Sequence, residues 1–108
     1  VRRRADDGLV KKVLALCDAL HIWAWRMNSG LVTTESGSKV QLSPPGTPDI
    51  FLVVKGKPCF LECKKKGGKL NKNQVEWAKR AESEGVRFAV ADSLGDAKFY
   101  ITEWIAGR

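Results

Sequence analysis

Histidine is nearly absent from this 108-residue chain, and the one copy, His21, has no second imidazole to work with. It reads as structural, and no histidine-based acid–base relay is expected. Cysteine is scarce too. Cys17, Cys59 and Cys63 make an odd count, and with a single histidine they do not complete a zinc site. Cys59 and Cys63 alternate with Leu61 along one apolar face and lie too far apart on it to bond to each other. All three cysteines therefore read as small buried hydrophobes. No apolar run is long enough to span a membrane. Arg2-Arg3-Arg4 imitates the start of a signal peptide, but Asp6, Asp7, Lys11 and Lys12 break up the segment after it. A cytoplasmic protein is expected. There is no internal repeat and no second domain, and residues 1–108 suffice for one domain with a modest core. Acidic residues are outnumbered: 12 Asp and Glu against 19 Lys and Arg leave a net charge of +7. Such a surface suits polyanions, of which nucleic acid is the commonest, although a merely soluble basic protein has the same balance.

Against these absences stands the stretch from Gly46 to Gln74. Ile50 to Val54 and Pro58 to Cys63 are short, β-branched and aromatic runs, and Lys55-Gly56 between them suits a two-residue hairpin turn. With that turn, Val54 opposes Lys57, Ile50 opposes Leu61 and Leu52 opposes Cys59, which makes one apolar face. On the other face Phe51 meets Phe60, and Asp49 meets Glu62. Opposed side chains have Cβ atoms about 4.5–5.5 Å apart, where like charges destabilise a sheet. A cation between them reverses that sign, and paired carboxylate oxygens are hard ligands for Mg²⁺ or Mn²⁺. Lys64, two residues beyond Glu62, points to the same face. A turn one residue longer or shorter would put the two carboxylates on opposite faces, so the metal argument depends on this register.

Pro48-Asp49 followed by Glu62-Cys63-Lys64 resembles the PD-(D/E)xK nuclease superfamily. Together with Trp25-Arg26-Met27-Asn28-Ser29-Gly30, Gly46-Thr47 and Asn73-Gln74, it more closely resembles the virus-type replication-repair nuclease (VRR-NUC) branch. Four spaced blocks in the family's order are a far more specific signal than a lone Asp and Glu-x-Lys. The resemblance implies an α/β fold: an α/β/α restriction-endonuclease-like core with a mixed central sheet and helices on both faces. It also implies Asp49, Glu62, Lys64 and Gln74 as catalytic residues. A metal would be held by Asp49, Glu62 and the main-chain carbonyl of Cys63.

The flanking segments fit that plan. Residues 6–21 read as a helix, with Leu9, Val10, Val13, Leu14, Cys17 and Leu20 at helical spacing. Asp6 and Asp7 lie at its start, where capping is one role. The family usually has a glutamate here that reaches the metal site. Asp6 aligns with it and Asp7 is the alternative, but an aspartate is one methylene shorter. Ile22 to Trp25 form a strand running into Arg26 and Asn28, which the resemblance places beside DNA. Residues 31–45 contain a short alternation at Lys39–Leu42, read as a strand or hairpin followed by a loop, and Pro44-Pro45-Gly46 is a turn. Lys65, Lys66, Lys69 and Lys72 beside the carboxylates favour phosphate binding over a merely solvated face. Asn71 caps a helix through Ser83 that Gly85 ends. Gln74 sits on its packed side, either as a capping-box partner or as part of the site. A strand at 86–91 and a helix at 93–104 complete the chain.

The expected function is metal-dependent hydrolysis of DNA phosphodiesters with Mg²⁺ or Mn²⁺, one ion or two. By resemblance the substrate is branched DNA, a four-way junction above all, cut by a homodimer in a bacterial or phage-infected cell. A flap or restriction-type nuclease is the alternative within the same chemistry. A basic DNA-binding module without catalysis is the alternative outside it.

Overall fold

The computed structural model describes residues 7–27 and 31–108. The central hairpin forms in the expected register. β4 (Ile50–Val54) and β5 (Lys57–Cys63) pair antiparallel, with Ile50 opposite Leu61, Phe51 opposite Phe60 and Val54 opposite Lys57. Lys55 (φ 51) and Gly56 (φ 78) both take the left-handed conformation that a two-residue hairpin turn requires. β1 (Trp23–Arg26) flanks β4 antiparallel. On the other side β6 (Arg87–Ala91) runs parallel to β5, which demands a crossover, supplied by α2 (Lys72–Ser83). The result is a four-stranded mixed sheet in the order β1-β4-β5-β6.

Period-two alternation divides the sheet into two unlike faces. One presents Ile50, Leu52, Val54, Cys59, Leu61, Cys63, Ala89 and Ala91, all buried. α1 (Asp7–Ala19) covers it with Val10, Val13 and Cys17, and α3 (Leu94–Ile105) with Ala97, Ile101 and Trp104. Each wholly buried Leu or Ile there contributes about 1.5–3 kcal/mol. The opposite face carries Phe60, Phe88 and Glu62, and α2 lies over it, packing Trp77 between Phe60 and Phe88. Helices therefore occupy both faces of a mixed α/β sheet.

α1 is shorter than its periodicity suggests. It stops at Ala19, and Leu20, expected on the apolar stripe, is 44% exposed. His21 takes φ 59 and donates its N–H to Asp18 O, while Ile22 N–H reaches Cys17 O at 2.8 Å. This is a Schellman cap with an uncommon non-glycine residue at its left-handed position. It turns the chain into β1 and gives His21 a backbone role. The 31–45 segment holds a separate two-stranded ribbon, β2 (Leu31–Thr33) with β3 (Lys39–Gln41). Among the described residues no helix is long and apolar enough to cross a membrane.

Candidate active site

Asp49 stands where the 44–48 loop enters β4, and that loop is tied tightly. Thr47 donates both its hydroxyl (2.6 Å) and its N–H (3.2 Å) to Pro44 O. Gly46 is buried at φ 84 against the start of α2. A Cβ there would fall on the Asn73 carbonyl and lie 2.8 Å from Gln74 N. Glycine is thus required by contact as well as by conformation, and it brings the Gly46–Asp49 block against the Asn73-Gln74 block. Asp49 is itself buried. Its Oδ2 accepts the Cys63 N–H at 2.8 Å, and its carbonyl accepts the Met27 N–H at 2.7 Å.

Glu62 lies on β5 beneath α2 and is only 1% exposed. Gln74 joins it to Lys64. The Gln74 Nε2 donates to Glu62 Oε2 at 3.0 Å, and Gln74 Oε1 accepts from Lys64 Nζ at 2.8 Å. The same Oε1 accepts from Asn71 N at 2.9 Å, while Gln74 N–H donates to Asn71 Oδ1 at 2.9 Å. The two roles weighed for Gln74 are therefore one: the capping box fixes the amide, and the amide orients the Glu-x-Lys pair. Lys64 Nζ lies 3.6 Å from Glu62 Oε2.

One atom in this network is left over. Glu62 Oε1 is buried without a hydrogen-bond partner among the described residues. Burial pushes the Glu62 carboxyl up to about 8, the neighbouring Asp49 charge pushes in the same direction, and the Lys64 ammonium opposes both. Such a carboxyl is stable when a proton or a cation sits between it and Asp49. The residues present fit a hard divalent cation on that ground, since Mg²⁺ takes one or two carboxylates and fills its remaining positions with water and phosphate oxygens. Among the described residues no group of three or more His, Cys, Asp and Glu side chains gathers as a cation cage, so the protein's share of such a site would be small.

The structure thus brings together Asp49, Glu62, Lys64, Gln74 and the main chain of Cys63. The other predicted residues are dispersed. Arg26 opposes Ile50 in the sheet and forms an ion pair with Asp7 at the start of α1. Asp7 is accordingly engaged in tying α1 to β1, and Asp6 and Asn28 lie outside the described residues. Lys65, Lys66, Lys69 and Lys72 are exposed along the segment leading from β5 into α2, where a turn closes through Gly68 N and Lys65 O at 2.8 Å. Cys17, Cys59 and Cys63 are buried and form no disulfide with one another, in keeping with their reading as small hydrophobes.

Sequence reasoning missed a row of rings on the Glu62 face. Trp23, Trp25, Phe51, Phe60, Trp77 and Phe88 succeed one another at centroid separations of 5.1, 4.7, 4.9, 4.8 and 5.6 Å. Its signal was the alternation Trp23-x-Trp25 beside Phe51 and Phe60 in a register already deduced. The chain matches no known family model, no curated protein sequence and no solved structure.

Proposed function

We propose that this chain is a metal-dependent DNA endonuclease of the virus-type replication-repair kind, with a restriction-endonuclease-like α/β/α core. One observation carries the reading. A buried carboxylate pair, Asp49 and Glu62, is held beside Lys64 by the Gln74 amide and leaves Glu62 Oε1 without a donor. Left unsatisfied, that oxygen costs about 1–3 kcal/mol or more; a proton shared with Asp49 relieves it below about pH 8, and a divalent cation between the two carboxylates would relieve it without the proton.

Asp49, Glu62 and the main-chain carbonyl of Cys63 would hold Mg²⁺ or Mn²⁺, with Asp6 the candidate for a further ligand. A bound divalent ion supplies Lewis acidity toward the phosphate and a hydroxide-like water at neutral pH. Lys64 orients the attacking water and offsets the negative charge that grows on the phosphate oxygens in the transition state. Gln74 holds Lys64 and Glu62 in place before substrate arrives, so little reorganisation is left for the reaction itself. The exposed Lys65, Lys66, Lys69 and Lys72 retain the flanking phosphates. By the resemblance, hydrolysis leaves 5′-phosphate and 3′-hydroxyl ends on branched DNA. A two-fold dimer would present two sites to the opposed strands of a four-way junction.

The test is cleavage of labelled four-way junction, flap and plain duplex with Mg²⁺ or Mn²⁺, beside Lys64→Ala. Symmetric cutting of the junction by the wild type, with a variant that binds but does not cut, is the expected result. Equal cutting of all three keeps the site and removes the structure selectivity. Binding without any cutting replaces the nuclease with a DNA-binding module.

A further inference from the structure

We propose that the uncovered half of the Glu62 face is a stacking platform for unpaired bases. The substrate of this site would then be branched DNA in which bases next to the cut phosphate are unpaired at the branch point. The inference rests on the phosphodiester site proposed above.

Three rows cross the face. Asp49 and Glu62 form the first. Two residues along each strand, about 7 Å away, Trp25 opposes Phe51 and Phe51 opposes Phe60. In the third row Trp23 opposes Val53. α2 covers only the far end of the aromatic row, through Trp77 on Phe60 and Phe88. Toward β1 the rings emerge: Trp25 is 37% and Trp23 71% exposed. A tryptophan that open adds little to the core, and two of them stepping away from a carboxylate pair form a graded surface for flat rings.

Charge decides the occupant. Lys64 stands in line with Glu62 on this face, exposed Lys65 and Lys66 come next along the chain, and the whole molecule carries +7. A polyanion whose monomers each carry a π-face matches cations at one end and indoles at the other, the pairing by which single strands are held without sequence preference. A second copy of the chain would instead bring another +7 body onto a face whose acidic groups, Asp49 and Glu62, are buried. A duplex keeps its bases stacked inside and has no ring to offer.

The experiment uses labelled oligothymidylate and a duplex of equal length, both in EDTA, with anisotropy and intrinsic tryptophan fluorescence as readouts. The wild type should bind oligothymidylate with quenching. Trp23→Ala/Trp25→Ala should lose about tenfold in affinity per ring, while duplex binding holds and the melting temperature falls by no more than the lost packing of Trp25 on Phe51 accounts for. Trp23→Phe, tested alone, should keep most of the affinity, which separates ring stacking from damage to the fold. Unchanged oligothymidylate affinity in the double variant overturns the platform. So does conversion of a dimer to a monomer by the same substitutions without loss of single-strand binding, which would make the face a self-association surface. Cleavage with Mn²⁺ is scored separately. Quenching without cleavage removes the nuclease and leaves the platform; cleavage with intact single-strand binding in the variant does the reverse.

Discussion

Gln74 donates to Glu62 Oε2 at 3.0 Å and accepts from Lys64 Nζ at 2.8 Å, so a single amide sets the distance between an acid and a base two residues apart on one strand. Gln74→Ala strips both partners at once. We expect a loss of about 1–3 kcal/mol in urea unfolding from the buried groups left unpaired, and a fall of about tenfold or more in junction cleavage. Gln74→Glu, which places a third carboxylate against Glu62, should be worse than Gln74→Ala for stability in EDTA. If both variants cleave like the wild type, Lys64 needs no positioning.

The raised Glu62 carboxyl makes stability depend on pH in an unusual direction. An ordinary glutamate at 4.5 loses its proton in the unfolded chain well before this one does at about 8 in the folded protein. Between those values the native state binds more protons, so in EDTA stability should fall as pH rises from about 4.5 to 8. Glu62→Gln should flatten that slope. Added Mn²⁺ should compete with the proton, stabilising the wild type increasingly toward pH 8 and Glu62→Gln little. Thermal unfolding at pH 5 and pH 8, with and without Mn²⁺, reads all four values.

Gly46 is held at φ 84 with the Asn73 carbonyl where a side chain would be. Gly46→Ala must therefore push the Asp49 loop away from α2 or strain the backbone. A destabilisation of about 1–3 kcal/mol is expected, with cleavage lost beyond what the melting temperature explains. Gly56, where a Cβ meets nothing within 4 Å, is the control: Gly56→Ala should show only the conformational penalty of its turn.

Arg26 and Asp7 form a half-exposed pair between β1 and α1, with side chains 43% and 27% exposed. Such pairs contribute about 0–1 kcal/mol, so Arg26→Ala should barely move the unfolding midpoint. Its DNA role is read separately. If Arg26 leaves Asp7 for a phosphate, the salt slope of DNA binding drops by about one in Arg26→Ala; an unchanged slope makes the pair purely structural.

The three thiols should be inert. Cys17 is pushed up to about 11 by burial, and Cys59 is raised by the same cause. A thiol reagent should titrate almost none in the native protein and all three in denaturant. Rapid reaction of one thiol would mark opening of the β4–β5 face.

The sequence by itself determined the hairpin, its register and hence the juxtaposition of Asp49 and Glu62. Those come from local rules: a two-residue turn with Gly56, and an alternation whose slip by one residue would expose every apolar side chain. It also determined that Asn71 caps α2, because capping is a contact within four residues. Tertiary structure decided the rest. That α1 ends at Ala19 depends on His21 accepting a left-handed backbone, which propensity disfavours and only the docking of Ile22 on the core repays. That Arg26 turns to Asp7, nineteen residues earlier, and that Gln74 unites its cap with Glu62 and Lys64, depend on where α1 and α2 land on the sheet. The row from Trp23 to Phe88 draws on four strands and a helix. The Trp23-x-Trp25 alternation shows that two rings share a face but not which element that face will meet; partners distant in sequence are chosen by how the elements dock, and that is the physical reason these contacts emerged only from the fold.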